Sequence, residues 1–359
     1  MRGFLFLIYG LLLVSPVLKA QQTVTGRITD AANEKALSQA TIFVAGTTIG
    51  TASDEAGNYT IVIPGKGSYE IVFYHSGYQP EIFKILKPLP FHQLDVELLV
   101  GIPPEKVLIP HSQKDVDINW YGQQDVDFFW YKLLGTMPSK EGLEILNPEK
   151  VNFYLNSDDV LTVWCEEFIE IVNHEMGYHI WFALKGFQHD YTNNQTFYYG
   201  KPFFKELIPK NNRQKRLWEK KRAEVYAFSF TCFIRALYRK QIHEEGFLLA
   251  EKDSMQYRKI LIPELKDILT ENQEDEGITV NIVSPLYLAC FSKPVTANTI
   301  QNSYSLIINR LMTFPLLILL PQQLTIYPDG TYSGLLKIQE QRKTITGLAS
   351  MLPVEYERK

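Results

Sequence analysis

Between residues 21 and 99 the chain alternates apolar and polar side chains in short runs, and each run stops at turn-forming residues. Val24, Gly26 and Ile28 alternate with Thr23, Thr25 and Arg27, and the spacing returns at Ile42 and Val44, at Tyr59, Ile61 and Ile63, and at Tyr69, Ile71 and Phe73. A period of two puts one set of side chains on one face of an extended chain, the pattern of strands buried on one side. The interruptions carry turn chemistry: Gly46, Asp54 with Gly57 and Asn58, Pro64-Gly65-Lys66-Gly67, and Ser76-Gly77. Roughly six or seven short strands at this spacing close into a β-sandwich or small barrel, not a parallel sheet. The segment is expected to be all-β.

Upstream, Arg2 precedes an apolar block over residues 4–18, and Ala20 offers a small residue for cleavage, although Leu18 is bulky for its place. That order predicts a secretory signal over residues 1–20. The block spans about 15 residues, short of the ~20 that a helix needs to cross a bilayer. The nearest later approach to a span, residues 314–320, is bracketed by Pro315 and Pro321. About 340 residues then remain, more than one core usually fills, so two domains are expected. A net charge of −4 leaves no basic surplus for nucleic acid. Cys165, Cys232 and Cys290 are far apart with no CxxC pair, so one disulfide at most can form. No cysteine stands at the expected cleavage point, which argues against a lipid anchor.

Three stretches of the alternating segment are distinctive: Val24-Thr25-Gly26-Arg27-Ile28, Ala40-Thr41-Ile42 before Gly46-Thr47, and Ser53-Asp54-Glu55-Ala56-Gly57-Asn58-Tyr59. In the last, an aspartate can cap the turn, a glycine can take positive φ, and the tyrosine returns the chain to the core face. Through these residues the segment resembles the carboxypeptidase-regulatory-like domain, a transthyretin-like sandwich. The resemblance implies a non-catalytic module, found in exported proteins of Gram-negative bacteria of the Bacteroidetes group and often at the N-terminus of outer-membrane proteins.

Residues 101–124, with Pro103, Pro104 and Pro110, read as a linker. Residues 125–359 mix both kinds of pattern and are expected to form a separate α+β domain. Strands are expected over 179–187 and 196–204, and a helix of 26 residues over 214–239, with Trp218, Val225, Ser229, Cys232 and Ala236 on one stripe. Further strands are expected over 282–291, interrupted at Ser284-Pro285, and over 304–312. Residues 324–333 read as a hairpin turning at Asp329-Gly330. Residues 134–187, the helix from Trp218 to Arg239 and the closing MLPVEYERK are similar to the region that follows this module in many exported Bacteroidetes proteins. That resemblance implies an address and no reaction.

Few residues carry chemistry by their spacing. His174-Glu175-Met176-Gly177-Tyr178-His179 nearly spells a zinc-peptidase motif, but that motif needs histidines four apart so that one helical face presents both. At five apart they diverge on a helix and oppose each other on a strand, so a turn at Met176-Gly177 with two ordinary histidines is expected. A metal site built from His179, His189 and Asp190 is an alternative. Asp115 with Asp117 and Asp125 with Asp127 repeat ten residues apart beside aromatic clusters. They fit calcium ligands or a glycosidase pair less well than solvated acids beside a docking segment. Residues 205–222 hold eight cations and two glutamates, a run that could meet anionic lipid or polysaccharide but that ordinarily forms a solvated loop and helix. Arg222 and Tyr226, with Glu224 between them, share a helical face and could bind a ligand or serve the core. No GxSxG, P-loop or dinucleotide fingerprint is present; Gly65-Lys66-Gly67 reads as a turn. The aromatic fraction of 13%, clustered at 120–131 and 197–204, suits sugar stacking, protein docking or a filled core.

The expectation is therefore a non-catalytic cell-envelope protein that binds or assembles with a protein or glycan partner. It would lie in the periplasm or at the outer membrane or surface of a Gram-negative cell, with peripheral membrane contact, no nucleic acid and no cofactor. No catalytic, cofactor-binding or metal residue is assigned. The alternative is an envelope hydrolase of peptide or glycan, using the Asp and His groups above with the sandwich as accessory module. A fragment-like relative of outer-membrane receptors would need more amphipathic strands after residue 100 than the chain offers.

Overall fold

Seven strands form in the alternating segment: β1 (Gln21–Asp30), β2 (Thr41–Val44), β3 (Gly50–Ala52), β4 (Asn58–Pro64), β5 (Tyr69–Tyr74), β6 (Glu81–Ile85) and β7 (Val96–Leu98). The computed structural model describes residues 21–64, 67–85, 93–100, 122–253, 256–259, 262–272, 276–291, 294–296, 316–319, 322–334, 338–340 and 347–357. The expected signal, most of the linker, Asp115, Asp117 and the strand over 304–312 lie outside the described residues.

Strands β4, β1 and β7 form one sheet and β3, β2, β5 and β6 the other. β1 runs antiparallel to β4, with Val24 opposite Ile61, and parallel to β7, with Ile28 opposite Val96. On β4 the alternation is realised residue by residue: Tyr59, Ile61 and Ile63 are buried, and Asn58, Thr60 and Val62 are exposed. Ile28 and Ile61 from one sheet meet Ile42, Ile71 and Phe73 from the other in a single core. Each such side chain contributes about 1.5–3 kcal/mol by leaving water. The expected turn closes as its residues predict, with Asp54 Oδ1 accepting the Ala56 and Asn58 N–H groups at 2.9 and 2.8 Å. The segment is an all-β sandwich.

From residue 122 onward the chain is α+β, and its described residues gather around two cores. Helix α1 (Gln123–Leu134) starts inside the stretch expected to be linker, because Gly122 leaves the helical region and Asp125 Oδ2 accepts its N–H at 2.8 Å. Phe129, Trp130, Leu133 and Leu134 of α1 pack on a six-stranded antiparallel sheet. Its strands are β8 (Leu143–Ile145), β9 (Val151–Leu155), β10 (Val160–Cys165), β11 (Ile169–Asn173), β12 (Tyr178–Asp190) and β13 (Gln195–Glu206). β13 follows β12 along its whole length, so β10 and β11 share the other edge of β12. The strands expected over 179–187 and 196–204 lie within β12 and β13.

The single helix expected over 214–239 is instead two, α2 (Asn212–Tyr226) and α3 (Phe230–Tyr238). Ser229 takes an extended conformation, and its Oγ accepts the Cys232 N–H at 3.1 Å, so a side chain starts a new helix where the backbone ladder was expected to continue. α3 enters the second core with two small sheets. These are built from β14 (Phe247–Asp253), β15 (Gln256–Lys259), β16 (Leu269–Glu271), β17 (Ile278–Ile282), β18 (Leu286–Cys290), β19 (Leu316–Leu319), β20 (Gln322–Ile326), β21 (Tyr332–Ser333) and β22 (Ile338–Glu340). The strand orders are β15-β14-β18-β19-β22 and β16-β17-β20-β21. The chain breaks at Ser284-Pro285, between β17 and β18, and turns at Asp329-Gly330, between β20 and β21, at both places expected.

The sandwich rests on the outer face of the six-stranded sheet. Phe43 packs on Phe168 and Phe203, and Tyr74 on Phe168. Gly50 comes so near that a Cβ there would stand 2.6 Å from the Phe203 ring. The Gly46 N–H donates to Pro202 O at 2.7 Å and the Phe204 N–H to Thr47 O at 2.9 Å, which stitches the 46–47 loop to β13. Lys201 pairs with Glu70 across the same boundary.

Candidate functional site

Between β11 and β12 the chain reverses over residues 174–177, where a turn was expected. Asn173 is buried, with Oδ1 accepting the Met176 N–H at 2.9 Å and Nδ2 donating to Ala349 O at 3.4 Å. Gly177 has φ +68°, and a Cβ there would stand 2.3 Å from the Trp218 ring, so both conformation and space call for glycine. Trp218 and Arg222 reach this turn from one face of α2. The Trp218 Nε1–H donates to His174 O at 2.8 Å. Arg222 donates to Met176 O at 2.7 Å and Gly177 O at 3.2 Å, and it pairs with Glu206 at 3.0 Å. Its guanidinium lies 4.0 Å from the Tyr178 ring centroid, and burial pushes the Tyr178 phenol well above its ordinary pKa.

A second buried arginine holds the C-terminal tail. Arg235, on α3, donates to Asp329 O at 2.8 Å, Tyr226 Oη at 2.9 Å, Tyr356 O at 2.7 Å and Val354 O at 2.6 Å. The Asp329 carboxylate in turn accepts from the Thr331 hydroxyl at 2.7 Å and from the Tyr69 hydroxyl of the sandwich. The tail then reaches the sandwich itself: the Val354 N–H donates to Gly46 O at 2.8 Å, and Glu355 accepts the Thr48 N–H at 2.5 Å and also its hydroxyl.

These parts surround an open cleft of about 710 Å³, lined by Thr48 of the sandwich, Tyr178 and Glu206 of the sheet, Lys215, Trp218, Glu219 and Arg222 of α2, and Pro353, Glu355, Tyr356 and Glu357 of the tail. Four carboxylates face two cations, and Arg222 is already paired with Glu206, so the cleft is acid-rich beside an aromatic wall. The 173–178 turn, α2 and the tail converge at this cleft. A second space, about 10 Å³ among Phe233, Leu249, Ile282 and their apolar neighbours, holds one water at most and offers it no polar partner.

The remaining candidates are placed elsewhere. His174 pairs with Glu144 at 2.9 Å, and His179 pairs with Glu170 at 3.1 Å while its ring stacks on Trp181. Burial lowers the His179 pKa, which Glu170 only partly offsets. His189 is buried against Phe128, with Nδ1 bonded to Thr196 at 2.8 Å. Burial, with Lys132 nearby, lowers its pKa too. His179 and His189 stand ten positions apart on β12, about 33 Å at ~3.3 Å per residue, so they share no metal. Asp190 caps its own turn through the Asn193 N–H at 2.9 Å. Asp125 accepts the Gly122 N–H and the Tyr191 hydroxyl, and Asp127 accepts from Gln123. Among the described residues, no group of three or more His, Cys, Asp or Glu side chains is placed to hold a metal ion. The three cysteines are buried and none is joined in a disulfide, and burial pushes the Cys165 and Cys290 thiols up to about 11 and about 12. Arg222 and Tyr226, left open between ligand and core, are both buried and serve the turn and Arg235.

Arg235, Thr48 and Glu355 carry no signal in the sequence. The carbonyls that Arg235 reaches lie 94 to 121 residues on, and Thr48 and Glu355 stand 307 residues apart, and no local pattern encodes such pairs. Among the described residues no helix is long and apolar enough to cross a membrane.

Residues 24–98 match the CarboxypepD_reg-like domain family, a generic immunoglobulin-like or transthyretin-like module, so the sandwich is a carboxypeptidase-regulatory-like domain. No curated protein matches the chain. Among solved structures it is similar to a 9R-lipoxygenase from Cyanothece PCC8801, at 13% identity over 64% of this chain and 48% of that one, with a TM-score of 0.18. The chain spans about half the length of that protein, and so loose a superposition carries no argument.

Proposed function

We propose that this chain is a non-catalytic, exported protein of the Gram-negative cell envelope that binds a protein or glycan partner in the cleft between α2, the tail and the sandwich. The observation that carries the reading is the convergence of sandwich, sheet, helix and tail residues on one open, acid-rich, aromatic-walled space. The cation, apolar block and small residue over residues 1–20 support export. Two observations weigh against the hydrolase reading: its histidines are far apart on β12, and the carboxylates of Asp125 and Asp127 already accept hydrogen bonds from Gly122, Tyr191 and Gln123.

In this reading the sandwich is a wall of the site as well as a module beside it, since Thr48 lines the cleft and fixes Glu355 opposite. The test is affinity capture from envelope extracts with the native protein and with a Glu219→Lys/Glu357→Lys variant, which inverts charge in the cleft without touching a core residue. Capture of a defined protein or glycan species by the native chain, reduced at least tenfold in the variant, supports the reading. Equal capture by both proteins overturns it.

A further inference from the structure

The side of α2 that faces away from the cleft is a second surface. Trp218, Arg222 and Tyr226 are turned inward and buried. At 100° per residue, Arg213, Arg216, Leu217 and Lys220 fall on the opposite side. All four are exposed, Leu217 by 57%. The loop entering the helix adds Ile208, 92% exposed, between the exposed Lys205 and Lys210.

The positive charge on this surface is only weakly compensated, by Glu224 at its far end. Among the described residues no carboxylate lies within ion-pair distance of Lys205, Lys210, Arg213 or Arg216. Lys220 reaches Glu224 only at 3.9 Å with both side chains well exposed, a pairing of little strength. Lys221 and Arg222, on the inward flank, are the cations that α2 spends on its own fold, through Glu175 and Glu206.

An exposed aliphatic tip on the helix, Leu217, and another on the loop before it, Ile208, beside exposed cations match the chemistry of a bilayer interface. Lysine and arginine meet anionic headgroups there, and short apolar side chains enter the boundary of the acyl region. We propose that the outer face of α2 and the 205–210 loop dock the protein on an anionic membrane surface, with Ile208 and Leu217 as the inserted side chains. A soluble polyanion would account for the cations and leave the two aliphatic residues in water. The proposal goes beyond the partner reading and does not depend on it, because the cleft opens on the inner side of the helix.

Sedimentation of the full chain with phosphatidylcholine vesicles, and with vesicles in which one third of the lipid is phosphatidylglycerol, tests this. Binding is expected to the anionic vesicles only and to weaken steeply with salt. Each neutralised cation near the surface lowers partitioning about fivefold, so Arg213→Gln/Arg216→Gln/Lys220→Gln lowers it on the order of 100-fold. Ile208→Ser/Leu217→Ser is expected to lower it at least tenfold at unchanged charge, roughly what removing two partly buried aliphatic side chains costs. These positions are exposed, and thermal unfolding of each variant verifies that it remains folded. Equal binding to neutral vesicles, no binding to either, or indifference to the aliphatic pair overturns the proposal; the last outcome assigns the face to a polyanion. Loss of vesicle binding leaves capture through the cleft intact, so the two readings fail separately.

Discussion

The sandwich and the region after residue 122 are both rich in β-structure, but they are held together over very different distances along the chain. In the sandwich the ties that close the recognisable turns are short. Asp54 caps residues two and four positions on, Asp30 accepts the Ala32 N–H, and Asn33 accepts the Lys35 N–H. In the later region the decisive ties are long. Arg222 reaches carbonyls 45 and 46 residues back, Arg235 reaches 94 to 121 residues on, and Asn173 meets Ala349 across 176. A module closed by local turns can be recognised from a short stretch of sequence. A region closed by buried arginines is recognised only when the partners are brought together, and the cleft forms at that closure.

That contrast can be broken or sharpened by substitution. The largest effect is expected from Arg235→Met, which removes four hydrogen bonds and leaves the Val354, Tyr356 and Asp329 carbonyls without their donor. A loss of about 3–5 kcal/mol in urea unfolding is expected, with the tail released. A loss under ~1 kcal/mol would show that the tail is held by other means. Gly177→Ala comes next. Its Cβ meets Trp218 at 2.3 Å, and φ +68° strains any side chain, so about 2–4 kcal/mol is expected from conformation and overpacking together. Tryptophan fluorescence should report the displaced Trp218 ring, and an unchanged spectrum would contradict the packing at the turn.

The smallest effect is expected in the sandwich. Asp54→Asn keeps an acceptor at the turn and removes only the charge, so the unfolding midpoint at neutral pH should move by no more than about 2 °C. Hydrogen bonds from the Asn58 N–H first, and from the Asn58 side chain and Ala56 N–H, hold the Asp54 carboxyl below its ordinary pKa of 3.8. Its stabilising effect is therefore present above 3.8 and lost as pH falls through the depressed folded value. The variant should show a flatter stability curve in that acid window. An equally steep curve would place the acid sensitivity in other groups.

Much of the fold was legible because it rests on neighbours. The alternation at Tyr59, Ile61 and Ile63, the Asp54 turn, the Asp329-Gly330 hairpin and the Ser284-Pro285 break each act within a few residues. The break between α2 and α3 was not legible, since the apolar stripe from Trp218 to Ala236 runs on in phase and conceals a serine cap that only backbone geometry shows. Nor was the start of α1 within proline-poor residues that looked like the end of a linker. The site was legible in outline only. The 174–177 turn and the shared face of Arg222 and Tyr226 were visible, but whether those side chains met a ligand or a carbonyl was not.

By itself the sequence determined the sandwich, its turns, the α+β character of the region after residue 122 and the unsuitability of the His174–His179 pair as a zinc motif. Each of these rests on periodicity and spacing, which set where side chains point before any distant contact forms. Only the tertiary structure decided that residues 122–357 hold two cores, that two buried arginines close them, and that Thr48 and Glu355 complete one cleft from positions 307 residues apart. A guanidinium buried away from water must find acceptors wherever the fold supplies them, and their identity depends on the path of the whole chain.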